Sequence, residues 1–189
     1  MTGKDRKAVK RPPSGILRTD FFKRPAAAVA RDLLGKALVR QRGNGRLSAI
    51  ITETEAYEGV HDLASHSARG LTPRTAVMFG PAGRFYVYRI YGLHWMLNIV
   101  TGEIDEAAAV LIRGVDLVTG PARLTSALGI DGSFNGREAT VPAGLWFEDG
   151  GHEVAAKSVL RTARIGVDYA GPVWAKRKLR FVLDRRGKD

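Results

Sequence analysis

Two glutamates, Glu53 and Glu55, stand two residues apart in a run, residues 50–67, that also carries Tyr57, Asp62, His66 and Ser67. Side chains alternate between the faces of a strand, so Glu53, Glu55 and Tyr57 share one face and Thr52, Thr54 and Ala56 the other. Glutamate suits strands poorly and is rarely buried without a partner. The cluster is therefore either the solvent face of an edge strand or a place where carboxylates move protons. A carboxylate in such a place can activate water and stabilise a developing cation. Tyr57, His66 and Tyr88 could together offer flat faces to a planar ligand. Asn98 lies between Leu97 and Ile99 in an apolar run, and a buried amide needs partners. It is a structural hydrogen-bonder or a group that reads a ligand's edge. Arg113 closes the apolar run 107–113 and needs a carboxylate partner, for which Glu55 is the candidate.

Other chemistries fit less well. Asp62, His66 and Ser67 hold the side chains of a hydrolase triad, but no G-x-S-x-G elbow accompanies them. His61, Asp62 and His66 match none of the common metal-ligand spacings, and no metal site is expected. The chain has no cysteine, which excludes disulfide frameworks, iron–sulfur clusters, cysteine nucleophiles and the zinc nucleobase deaminases. No apolar run approaches membrane-spanning length and no signal-peptide pattern opens the sequence, so a soluble cytoplasmic protein without a membrane partner is expected.

The elements that must position these groups follow from turn and period signals. Residues 1–19 form the expected flexible basic arm, and 20–189 a single domain with a basic C-terminal tail. A short helix is predicted over 26–34 and ends at Gly35. Strands over 36–42 and 46–57 flank a tight turn at 43–45 and make a hairpin. Thr72-Pro73 could open a short helix. A second hairpin covers 84–100, with Tyr91, Leu93, His94 and Trp95 around its Gly92 turn. These either wedge into a base stack or pack on the body of the domain. A three-residue loop 92–94 would oppose Tyr91 to Trp95 and Tyr88 to Asn98, placing the latter two on one face. An almost unbroken apolar strand follows at 107–113. A helix ends at Gly129, a short strand covers 145–147, a helical turn is expected over 158–165, and a last strand covers 178–183. The fold class is mixed α+β and strand-rich.

Charge narrows the partner. The net charge is +11, of which residues 1–24 carry +6 and residues 174–189 carry +5, while the rest balances. Between Asp62 and Glu103 there is no acidic residue, yet Arg69, Arg74, Arg84 and Arg89 fall there. Basic tails alone can serve solubility, but an acid-free central stretch suits a polyanion.

The motifs then become specific. E-T-E-A-Y-E-G, D-L-A-S-H-S, T-P-R, M-F-G-P-A-G-R-F-Y-V-Y-R-I-Y-G and L-N-I-V closely resemble the alkyladenine-type 3-methyladenine DNA glycosylases. V-L-I-R-G, T-G-P-A-R-L, A-R-I-G-V and W-A-K-R-K-L-R-F also fit, in order, across residues 30–183. The resemblance implies a single domain on a curved, open antiparallel sheet, with short helices and a hairpin that enters the minor groove. It implies a monofunctional enzyme that flips alkylated or deaminated purines from duplex DNA and hydrolyses the N-glycosidic bond. Glu55 would deprotonate the attacking water and Arg113 would help place it. Tyr57, His66 and Tyr88 would sandwich the base, Asn98 would screen against guanine, and Tyr91 would fill the gap in the stack. Arg74, Arg84, Arg89 and Arg123 would meet the DNA backbone. No cofactor, a monomeric state and a bacterial-type cytoplasm are the accompanying expectations. A lyase needs an amine, and between residues 25 and 173 the only lysines are Lys36 and Lys157.

Overall fold

The strand Gly45–Tyr57, thirteen residues long, belongs to both halves of the sheet, and the rest of the chain is arranged along it. The structure is a computed structural model that describes residues 15–151 and 153–184. In chain order, β1 (Gly15–Ile16), α1 (Thr19–Phe22) and α2 (Ala26–Asp32) lead into the hairpin β2 (Ala37–Arg42) and β3 (Gly45–Tyr57). Two 3-10 turns, His66–Arg69 and Ala76–Phe79, precede the hairpin β4 (Phe85–Ile90) and β5 (His94–Thr101). Then come β6 (Ala108–Val115), β7 (Val118–Thr119), α3 (Pro121–Leu128) and β8 (Leu145–Asp149). β9 (Val159–Thr162), α4 (Gly171–Lys176) and β10 (Arg180–Leu183) complete the described residues.

The sheet runs β1-β8-β2-β3-β6-β5-β4, with β10 on β3 and β9 on β10, and its strand pairs are antiparallel. The first half of β3 pairs with β2, the second half with β6 and β10. Between the halves the register with β6 slips at Glu53 and returns at Thr54, an irregularity that bends a strand and re-aims its side chains. The path is open, not a closed barrel, as the expected curved antiparallel sheet requires.

The core lies on one side of this bend. Leu33, Leu38, Ile51, Phe85, Leu97, Ile99, Ile112, Leu124, Leu128 and Phe147 are fully buried in it. α2 packs on β3 and β6, and the Thr54 hydroxyl donates to the Ala30 carbonyl at 2.7 Å, satisfying a polar group the core would otherwise strand. α3 packs on β5 and β6; Pro121 opens it, and Gly129, with φ of 58°, closes it in the left-handed conformation that glycine tolerates.

Four local expectations change. Residues 158–165 hold β9 rather than a helical turn, because Val159–Thr162 find a partner in β10 across the chain. Thr72-Pro73 opens only a single turn ahead of Ala76–Phe79. The second hairpin has its three-residue loop at Tyr91-Gly92-Leu93, not 92–94, so Ile90 opposes His94 and Tyr86, not Tyr88, opposes Asn98. The odd loop length still leaves Tyr88 and Asn98 on one face, since Tyr88 opposes Met96 two residues away. Within the segment expected as an arm, Gly15 and Ile16 pair with Asp149 and Glu148, and Thr19 opens α1. Residues 1–14 and the tail from 185 lie outside the described residues.

Candidate active site

Glu55 sits at the far end of β3 with no exposed surface (0%). Its Oε1 accepts the Ile165 N–H at 2.8 Å, and its Oε2 accepts the Tyr57 hydroxyl at 3.0 Å. Arg113 Nη1 reaches the same Oε2 only at 3.4 Å. Burial raises the Glu55 pKa, opposed by the Arg113 charge and by the Ile165 and Tyr57 hydrogen bonds, while Glu53 raises it further. A carboxylate short of charge compensation is a stronger base than one locked in an ion pair.

The expected Arg113 partner is therefore only half right. Its shorter bond runs from Nε to Glu53 Oε1, at 2.8 Å. The register slip explains this: Glu53 pairs with Gly114 and Thr54 with Ile112, so Arg113 stands out of the pairing, beside both carboxylates.

Beyond Tyr57 lies a cleft lined by Tyr57, His66, Tyr86, Tyr88, Asn98 and Tyr169, among others. The His66 ring meets Tyr88 edge-on with centroids 4.5 Å apart, and His66 Nδ1 is 2.9 Å from the Tyr86 hydroxyl. Burial and the charges of Arg74 and Arg69 lower the His66 pKa to about 4, so the ring is neutral at neutral pH. Asn98 donates from Nδ2 to the Tyr86 carbonyl at 3.0 Å. Glu55 does not line the cleft itself; it stands one hydrogen bond behind Tyr57. The chemistry available is thus a base behind an aromatic, weakly polar slot.

The alternatives are dismantled by their own partners. Asp62 is fully buried and forked onto Arg164, with Arg164 Nη2 to Asp62 Oδ1 at 2.9 Å. Ser67 is bonded to Ser65, and His66 to Tyr86, so no triad forms. Among the described residues no group of three His, Asp or Glu side chains could hold a metal.

Tyr91 and Leu93 project from the hairpin tip at 89% and 76% exposure, whereas Trp95 packs inward against Gly132, where a Cβ would lie 2.7 Å from the indole. The tip thus divides between the two readings of its aromatics. Tyr91 also holds φ of 48°, a left-handed backbone that costs a tyrosine energy. Arg74, Arg89 and Arg123 are exposed, with the Arg74 guanidinium over Tyr88 at 5.1 Å and Arg89 over Trp95 at 5.1 Å. Arg84 is half-buried and engaged by the Gly136 carbonyl and Glu138.

Sequence reasoning missed three residues. Tyr86 joins His66 to Asn98, and its place in the alternating run Y-V-Y was the available signal. Arg164 lies over the Tyr57 ring at 4.8 Å and donates to the Ala56 carbonyl, and a buried Asp62 should have demanded such a cation. Tyr169 donates to the Ala64 carbonyl at 2.8 Å from the cleft's rim, and no pattern announced it.

The same residues carry a family signature. A family model described as Methylpurine-DNA glycosylase matches residues 20–119 and 114–187. This chain belongs to that family. A relative from Myxococcus xanthus is 49% identical over 170 residues, covering 85% of this chain and 86% of the relative. One from Methanocella arvoryzae is 42% identical, covering 82% and 86%, and one from Legionella pneumophila 41%, covering 86% and 91%. All three carry, provisionally, the name 3-methyladenine DNA glycosylase. Membership makes the chain a DNA N-glycosylase, a hydrolase of N-glycosyl bonds acting in DNA repair.

Proposed function

We propose that this glycosylase flips a single alkylated or deaminated purine out of duplex DNA and hydrolyses its N-glycosidic bond, leaving an abasic site. The substrates are of the 3-methyladenine, 7-methylguanine, hypoxanthine and ethenoadenine class. One observation carries the reading: an undercompensated, fully buried Glu55 stands directly behind the aromatic slot of Tyr57, His66 and Tyr88.

A base buried in a duplex cannot be reached, so the nucleotide must leave the stack. The slot offers it ring faces and Asn98 an amide that discriminates among purine edges. Tyr91, large and already held in a strained exposed conformation, replaces the missing base. Bond cleavage builds positive charge on the sugar. Glu55 stabilises that charge and takes a proton from the attacking water, and Arg113 helps orient both. Among the described residues no lysine lines the cleft, and Lys36 is paired with Asp149 at 2.7 Å, which supports hydrolysis without an amine intermediate. The residues named here all come from one chain, which supports a monomer as the acting species.

The test uses duplexes with one hypoxanthine or ethenoadenine, and methylated DNA, incubated with wild type or Glu55→Gln. Breaks that appear only after alkali, and only with wild type, are expected. Borohydride should trap no covalent adduct. Wild type that binds lesions and cleaves none would reduce the protein to a binding module.

A further inference from the structure

The carboxylate that takes the short bonds of Arg113 and Arg180 is not the one behind the slot, which Arg113 reaches only at 3.4 Å. Arg180 stands opposite Glu55 in the pairing of β10 with β3, yet its Nε donates to Glu53 Oε1 at 2.6 Å. Its Nη1 donates to Thr162 on the neighbouring β9 at 3.2 Å, which fixes that direction. Arg113 donates to the same Glu53 oxygen at 2.8 Å. A single carboxylate oxygen thus collects two guanidinium groups, while the two short bonds to Glu55 come from uncharged donors, Ile165 N–H and the Tyr57 hydroxyl. Space for this arrangement exists because residue 114 is glycine. A Cβ there would lie 3.3 Å from Glu53 Cβ and 3.4 Å from Thr52 Oγ1.

We propose that Glu53 is a positioning residue: it takes the short bonds of Arg113 and Arg180, leaving Glu55 only the long 3.4 Å contact to Arg113, so that Glu55 remains able to take a proton from water. The proposal rests on the reading above of Glu55 as the base. An ion pair made to the charged form stabilises it and weakens it as a base. Without Glu53, Arg113 and Arg180 would turn toward Glu55, which Arg113 already contacts at 3.4 Å and Arg180 opposes in the β10–β3 pairing. The groups that face Glu55 are Glu53 and Tyr57 from β3, Arg113 from β6, Arg180 from β10 and Tyr88 from β4, with Arg164 and Tyr169 from the chain after β9. Arg113 and Arg180 are the two cations of this set that Glu53 engages. Arg164 is neutralised by Asp62 instead.

The test reads Glu55 directly, from the pH dependence of its 13C carboxyl shift in the full chain without DNA. In Glu53→Gln the Glu55 midpoint should fall by about one unit, the scale of a new charge partner. Single-turnover excision of hypoxanthine should then slow by about tenfold at neutral pH, with its acidic limb displaced downward by the same interval. Glu53→Asp should restore part of both. Arg180→Gln should move the midpoint upward, the opposite direction. A Glu55 midpoint unchanged or raised in Glu53→Gln overturns the proposal. Should that variant fail to fold, Glu53→Asp decides, since the shorter side chain loosens the hold: a smaller fall of the Glu55 midpoint is in support and no change or a rise against. The titration needs no turnover, so a wild type that excises nothing would defeat the proposed function and leave the measurement of Glu53's hold intact.

Discussion

The Tyr57 hydroxyl donates to Glu55 across 3.0 Å, so a wall of the slot and the proposed base are bonded neighbours two residues apart on one strand. That bond helps hold the Glu55 pKa down against burial. In Tyr57→Phe it is lost while the ring remains. Glu55 should then titrate at higher pH, by about one unit for a hydrogen bond to a charged group. The acidic limb of single-turnover excision should shift upward accordingly, the reverse of the Glu53→Gln effect. A limb that stays in place would show that the hydroxyl does not bear on the base.

Glu55→Gln should lose about 10²–10⁴ in excision rate, the usual range for a positioned general base, while still binding lesion-bearing duplex. Gel-shift affinity and single-turnover rate, measured on the same preparation, separate the two. Loss of binding in step with rate would place Glu55 in recognition rather than chemistry.

Stability should depend on His66 in a defined pH window. Its folded pKa is lowered from 6.5 to about 4, so below pH 6.5 the unfolded chain takes up the proton first. Wild type should therefore lose Tm as pH falls from about 6.5 to about 4, over and above the loss seen in His66→Gln, and the extra slope should end below that. Parallel Tm curves for the two proteins across this window would contradict the assignment.

Tyr91 costs the free protein something it does not recover. Tyr91→Gly should leave Tm unchanged or raise it, because φ of 48° suits glycine and an 89% exposed ring loses little packing. Excision from duplex should fall by at least about tenfold, a loss of about 1.4 kcal/mol or more, within the worth of one stacked ring. Excision from a single-stranded lesion should change much less. Equal losses on both substrates would remove the wedge from the account.

Arg164→Met tests the floor beneath Tyr57. Removing one partner of a buried pair leaves Asp62 uncompensated, at a cost of about 3–5 kcal/mol. Urea unfolding should show it. A loss below about 1 kcal/mol would mean that the Glu58 and Ala64 amides, each 3.0 Å from Asp62, suffice without the cation.

How much of this could be read from residues alone differs by element. The β2–β3 hairpin, β6 and α3 were legible because period, turn glycines and a proline agree over them. An odd loop puts Tyr88 and Asn98 on one face, and that parity survives a shift of two residues in register; the direct opposition of Tyr88 to Asn98 does not, and Tyr86 takes that place. β9 was hidden because four residues become a strand only when β10 arrives from further along the chain. Arg113's preference for Glu53 was hidden for a related reason. A one-residue slip in pairing is set by packing between strands, and alternation along one strand cannot express it.

β3 is hydrogen-bonded on both edges where it carries Glu55, with β10 on one side and β6 on the other. A group anchored in that way cannot travel to meet its target. In the flipping mechanism proposed above, all of the travel would fall to the nucleic acid, and the work of extrusion would be subtracted from whatever the slot returns. Purines that are poorly paired or poorly stacked make the journey at least expense. On that proposal, discrimination between damaged and ordinary DNA would begin in the helix itself, before Asn98 or Glu55 had touched anything.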